Sequence, residues 1–176
     1  MRIVGGQNKG RRLKVSKTRQ RPTKAIVREA IFDILKHYVV DSDVLDIFAG
    51  TGSLGLEALS RGASHCTFIE RYPRVLTYNI QHLSYSEQTK IIVSDFRSGL
   101  KYLKGKEFDI IFLDPPYRRQ YLTDALRLIA ALRILNKNGI IVAEHDVDKK
   151  LEIPEDMKHL KTYIYGDTAL TCIRYY

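Results

Sequence analysis

The chain has 176 residues, of which 44% are hydrophobic, with two cysteines, five histidines and a formal net charge of +9. Its longest apolar runs fall well short of the roughly 20 residues that cross a bilayer, and no stretch has the character of a secretory leader, so a cytoplasmic location is expected. Neither the two cysteines, Cys66 and Cys172, nor the histidines show metal-ligand spacing, which excludes a disulfide framework and leaves no metal expected.

The charge is unevenly placed. Residues 1–28 hold ten Lys or Arg and no acid, which leaves the rest of the chain with 19 basic against 20 acidic side chains. A local basic face of this kind suits a polyphosphate partner, because each neutralised phosphate releases condensed counterions. The bland alternative is a solvated tail. Ile3-Val4 and Leu13-Lys14-Val15 flank Gly5-Gly6 and Gly10, a pattern that favours a short basic β-hairpin within residues 1–20, with Lys9, Arg11, Arg12, Lys14, Arg19 and Arg21 as its candidate nucleic-acid-binding cations.

After the arm, Arg21-Pro22-Thr23 introduces a helix with Thr23 as N-cap and Val27, Ala30, Ile31, Ile34, Leu35 and Tyr38 on one face. Short apolar strands then alternate with amphipathic helices: strands at 44–48, 65–70, 90–93, 108–113 and 139–143, and helices at 54–60, 74–83, around Leu100, and 121–135. This alternation predicts an α/β fold with a mainly parallel sheet covered on both faces. Residues 158–165 and 169–176, separated by Gly166-Asp167-Thr168, read as a closing antiparallel hairpin. No repeat or low-complexity tract interrupts the chain, so residues 1–176 are expected to form a single domain acting as a monomer.

Asp46-Ile47-Phe48-Ala49-Gly50-Thr51-Gly52-Ser53-Leu54-Gly55 runs from a strand into a helix, and its glycines satisfy GxGxxG. A nicotinamide enzyme would show the same turn. Asp46 tilts the reading, since a carboxylate there suits the ammonium of an amino-acid-like ligand and not a dinucleotide phosphate. Glu70, closing the next strand, stands at the offset from which an acid reaches ribose hydroxyls. Asp95 can accept an adenine amino group with Phe96 packed on the ring, or it can cap the helix that follows, and one carboxylate can do both.

Phe112-Leu113-Asp114-Pro115-Pro116-Tyr117 follows the fourth strand of the alternation, and so leaves the sheet at the same edge as the glycine turn. Two prolines lack backbone donors, which leaves a stiff turn whose carbonyls can accept from an NH2 group. Asp114 and Pro115 can together orient an exocyclic base amine toward a methyl donor, and Tyr117 can stack on the base. A plain proline turn remains the alternative.

At these residues the chain resembles a known family, the RsmD-type methyltransferases that modify guanine N2 in 16S ribosomal RNA. The likeness spans Met1-Arg2-Ile3-Val4-Gly5-Gly6 with Lys9-Gly10-Arg11, Arg21-Pro22-Thr23, Val27-Arg28-Glu29-Ala30-Ile31-Phe32, the glycine loop, Asp114 to Tyr117 and Tyr165-Gly166-Asp167-Thr168. It implies a Rossmann-like, S-adenosylmethionine (SAM)-dependent methyltransferase fold, and a ribosomal RNA or small-subunit particle as partner. It also implies SAM contacts at Asp46, Gly50, Gly52, Glu70 and Asp95, with Phe48, Thr51 and Phe96 completing the candidate set, and catalysis at Asp114, Pro115, Pro116 and Tyr117. A DNA adenine-N6 enzyme, a protein glutamine methyltransferase, a nicotinamide oxidoreductase and an RNA-binding module without catalysis are the alternatives carried forward.

Overall fold

The computed structural model describes residues 1–15, 25–116, 119–149 and 151–176. Thr23, Arg19, Arg21 and Tyr117 lie outside the described residues.

Among the described residues, seven strands form one sheet. In chain order the elements are α1 (Ala25–Ile34), β1 (Asp43–Ile47), α2 (Ser53–Ser60), β2 (His65–Ile69), α3 (Arg74–His82), β3 (Thr89–Ile92), α4 (Phe96–Tyr102), β4 (Phe108–Leu113), α5 (Arg119–Leu132), β5 (Leu135–Asp146), β6 (Met157–Tyr165) and β7 (Thr168–Tyr175). The strand order is β3-β2-β1-β4-β5-β7-β6, with β1 to β5 parallel and β7 antiparallel to both of its neighbours. From β1 the chain winds outward to β2 and β3, then returns to β4 on the other side of β1. That reversal opens a crevice at the carboxyl ends of β1 and β4, where open α/β sheets place their ligands. Ile47 pairs with Leu113 in this register, so the glycine turn and the Asp114 turn leave the sheet side by side.

Alternation divides the core. Val44, Cys66, Phe68, Ile110 and Phe112 face α1, α2 and α3, while Leu45, Ile47, Ile69, Ile111 and Leu113 face α4 and α5. The central strands are apolar on both faces because helices cover both, the expected state of a parallel sheet. Leu122, Ala125, Leu126 and Ile129 repeat at helical spacing on α5 and are all buried.

Helix α2 departs from an amphipathic pattern: all eight of its residues are buried. The reason is the N-terminal arm, which lies across its outer side. The arm is a looser hairpin than the sequence suggests, with one bridge between Arg2 and Arg12 and main-chain bonds from Leu13 to Met1 and from Gly10 to Ile3. Both Glu57 oxygens receive it, from the Val4 N–H at 2.8 Å and the Gly5 N–H at 2.7 Å. At Gly6, φ is 74° and a Cβ would stand 1.7 Å from the Ser60 carbonyl oxygen, so only glycine fits this approach. Ile3 and Leu13 thereby enter the core.

Arg28 belongs to this packing and not to the basic surface. It is 2% exposed, donates to the Arg2 carbonyl at 2.8 Å, and burial lowers its pKa against the opposing pull of the Glu57 charge. Helix α1 also stops at Ile34, four residues short of the periodic pattern; the Tyr38 N–H turns back to the Leu35 carbonyl instead.

Candidate active site

The glycine turn is shaped by carboxylates. Asp46, 2% exposed at the end of β1, accepts the Gly55 N–H at 3.0 Å. Glu70, just past β2, accepts the Gly50 N–H through one oxygen and the Tyr72 N–H through the other, both at 2.8 Å. Gly50 and Gly52 sit at φ 57° and 79°, in the left-handed region that glycine enters without strain. At Gly55 a Cβ would stand 2.4 Å from the Phe68 ring, so the third glycine is what lets α2 close onto β2. From outside the turn, the Asn79 amide on α3 donates to the Thr51 carbonyl at 2.9 Å.

This arrangement decides what the turn can hold. A dinucleotide-binding turn offers its free N–H groups to pyrophosphate. Here the Gly50 and Gly55 amides are taken by the protein's own acids, and the surroundings are negative. Burial pushes the Asp46 carboxyl up to about 7, and the charges of Asp114 and Glu70 push in the same direction against the Gly55 hydrogen bond. The result suits a cation and disfavours an anion. A carboxylate oxygen has two lone pairs, so Glu70 retains acceptor capacity for hydroxyls while holding the loop.

Asp95 is the N-cap of α4. Its Oδ1 accepts the Arg97 and Ser98 N–H groups at 3.0 and 3.3 Å, and its pKa is lowered, chiefly by hydrogen bonding from the Ser98 side chain. Phe96 is 5% exposed and packs at 4.8 Å from the half-buried Phe48 ring and 5.2 Å from Tyr121 on α5. Phe48 stacks parallel to Tyr121 at 6.1 Å. To reach that cluster, Phe48 takes φ 67° as a non-glycine residue, which costs about 1–2 kcal/mol. These rings make an apolar wall beside the β1–β4 crevice, braced by Arg97, whose guanidinium lies over Phe96 and pairs with Asp124.

Asp114 and Pro115 are half-buried and Pro116 is exposed, directly beyond the last β4 pair. Asp114 is close enough to Asp46 for its charge to act on it. The structure thus brings Asp46, Phe48, Gly50, Thr51, Gly52, Glu70, Asp95, Phe96, Asp114, Pro115 and Pro116 to one sheet edge. Lys9, Arg11, Arg12 and Lys14 are exposed on the arm, on the α1–α3 side of the sheet.

A family model described as Conserved hypothetical protein 95 matches residues 1–174. The chain belongs to this family. A curated relative, Ribosomal RNA small subunit methyltransferase D of Haemophilus influenzae, is 38% identical over 174 residues, covering 94% of this chain and 89% of its own length. Among solved structures, yhhF of Escherichia coli superposes with a TM-score of 0.90 at 33% identity, over 99% of this chain and 97% of that one. A more distant neighbour, SMU.776 in complex with SAH, shares the fold with a TM-score of 0.64 at 18% identity, over 82% of this chain and 48% of that one.

In this family member three structural residues escape a sequence reading. Glu57 and Asn79 are fully buried polar side chains that hold the arm, Asn79 accepting the Lys14 N–H at 2.8 Å and donating to the Lys14 carbonyl at 3.0 Å. Tyr121 completes the aromatic wall from α5. A signal existed for Glu57, the only charged residue in an otherwise apolar and small helix, SLGLEALS. Among the described residues no helix is long and apolar enough to cross a membrane, and no group of three His, Cys, Asp or Glu could hold a metal.

Proposed function

We propose that this protein transfers the sulfonium methyl of SAM to an exocyclic base amine of ribosomal RNA, with guanine N2 in the small subunit as target. It acts as a single-domain cytoplasmic monomer. The observation that carries the reading is the occupation of the Gly50 and Gly55 amides by Glu70 and Asp46, which makes the turn a seat for a cation. The RNA substrate follows from the curated relative's name together with the exposed basic arm.

SAM, when bound, supplies an electrophilic methyl group on a positively charged sulfur. Asp46 and Glu70 shape the turn that receives its amino-acid and ribose portions, with Gly50, Thr51 and Gly52 as the close backbone surface. Asp95 and Phe96 border the adenine side, and Phe48 closes the crevice from below. Across the crevice, the Asp114 carboxylate and the Pro115 carbonyl accept the two amine N–H bonds, while Pro116 stiffens the turn; stacking on the base is the role that the sequence assigns to Tyr117. Held so, the amine nitrogen pyramidalises and aims its lone pair at the methyl; such orientation supplies about 7–11 kcal/mol of a barrier. Asp114 takes no proton beforehand, since a carboxylate is far too weak a base to deprotonate a neutral amine. It receives the proton as the nitrogen becomes cationic.

The test is incubation with methyl-labelled SAM and small-subunit particles, or their free RNA, from cells lacking the enzyme, followed by nucleoside mass spectrometry. Label is expected in N2-methylguanosine. Label in N6-methyladenosine, or none, overturns the assignment.

A further inference from the structure

Helix α3 lies against the arm, and its outer face has no part in the chemistry above. Between Glu70 and Glu87 the chain carries Arg71, Arg74 and three tyrosines and no acid. Arg74, Tyr78 and His82 follow one another at four-residue steps and share one exposed side of the helix. Tyr78 is 48% exposed; the His82 ring runs parallel to it at 5.9 Å and 10°, and Lys14 Nζ stands 4.8 Å from its centre. Arg11 donates to the His82 carbonyl, which brings the arm's cations up to the end of the helix. Asn79, next to Tyr78, holds Lys14 on one side and Thr51 of the glycine turn on the other.

Resting on the functional reading just given, we propose that this face is a second RNA contact: one unpaired base stacks with Tyr78 and His82 while Lys14 and Arg74 neutralise the flanking phosphates. Charge and shape both select this occupant. Among the described residues neither Lys14 nor Arg74 pairs with a carboxylate, so both cations remain available to phosphate. A half-exposed aromatic ring beside a cation is the elementary platform for single-stranded nucleic acid, because every base offers a π-face. Through Asn79 the helix that carries the platform is hydrogen-bonded to the Thr51 carbonyl of the turn that shapes the cofactor site.

The test is fluorescence anisotropy with a fluorescein-labelled single-stranded RNA 12-mer and the matching duplex, across a salt series, using the full chain. By the usual strength of base stacking, Tyr78→Ala weakens single-strand binding about 5- to 150-fold, whereas Tyr78→Phe keeps the ring and binds within twofold of wild type. Arg74→Glu, on the exposed side, weakens binding and lowers the slope of log affinity against log salt by about one, and it carries the test if Tyr78→Ala does not fold. Single-strand affinity unchanged in Tyr78→Ala and Arg74→Glu overturns the proposal, as does equal loss in Tyr78→Phe. Displacement of the RNA by polyglutamate as efficiently as by unlabelled RNA also overturns it, in favour of an acidic peptide. Binding is read apart from methyl transfer: Tyr78-dependent affinity without turnover sinks the enzymatic reading alone, and turnover with Tyr78-independent affinity sinks the platform alone.

Discussion

Glu70 accepts the amide N–H of Gly50 at 2.8 Å, and this bond clamps the glycine turn against the end of β2. Glu70→Ala frees that amide and the Tyr72 amide together. A hydrogen bond to a charged group is worth about 1.5–3 kcal/mol, so SAM affinity falls roughly 10- to 150-fold by calorimetry. An affinity within twofold of wild type would show that the loop holds its shape unaided.

Asp114 stands across the crevice from Asp46. Asp114→Ala removes the proposed amine acceptor and leaves the cofactor turn intact. Methyl transfer drops by about 10³-fold or more, while the SAM dissociation constant shifts only a few-fold, as expected when a group acts in the transition state. Near-normal turnover in a single-turnover assay would remove Asp114 from the chemistry.

The Asp46 carboxyl, raised to about 7 by burial and neighbouring charge, makes the ligand-free protein pH-sensitive. Its folded pKa exceeds the unfolded value near 3.9, so the folded state binds the proton more tightly. The contribution is full below pH 4 and is lost as pH rises through 7. From pH 5 to pH 8 this group alone removes on the order of 3 kcal/mol at 1.36 kcal/mol per unit. Asp46→Asn flattens that part of the profile in urea titrations at the two pH values. An identical pH dependence in the variant would place the titration elsewhere.

Glu57 binds two arm amides and the Arg61 Nε at 2.9 Å. Glu57→Ala leaves buried donors and the Arg28 cation without their acidic neighbour, a class of change that costs about 3–5 kcal/mol. The melting temperature falls, and trypsin cuts at Lys9, Arg11 and Arg12 before the rest of the chain. Protection equal to wild type would mean that Ser60 Oγ, which accepts the Asn8 N–H, the Tyr85 hydroxyl, which accepts from the Gln7 and Asn8 side chains, and Asn79 suffice to hold the arm.

Arg12 and Lys9 are exposed, whereas Arg11 is partly engaged by the Asn8 side chain at 3.1 Å and the His82 carbonyl. Charge reversal of Arg12 and Lys9 weakens RNA binding and flattens its salt dependence by about one unit of slope for each phosphate no longer neutralised. An unchanged slope makes these two side chains bystanders.

The β-α alternation, the glycine turn and the Asp114 turn were legible in the sequence because each is written in neighbouring residues: apolar runs, glycines at fixed offsets, paired prolines. The Asp95 ambiguity resolved in part, since the cap is present in the structure and leaves the adenine contact to experiment. Strand β5 begins at Leu135, earlier than its apolar run at Gly139; Asn136, Lys137 and Asn138 look like a turn, and a register shift between Phe108 and Ile110 accommodates them. What the sequence hid was long-range. Glu57 meets Val4 across 53 residues and Asn79 meets Lys14 across 65, and no local pattern marks a polar side chain whose partner is a distant main-chain amide. Of the ten cations counted over residues 1–28, Arg28 lies buried in α1 and adds nothing to the basic surface.

The placement of β7 also governs how the chain assembles. β6 emerges first, and among the described residues its one partner is β7, which slots between it and β5. Until β7 has been synthesised, β5 presents an open edge of unpaired amides, a hazard for aggregation. A nascent chain lacking its last strand is therefore expected to engage chaperones, and completion of the sheet is the late step that releases it.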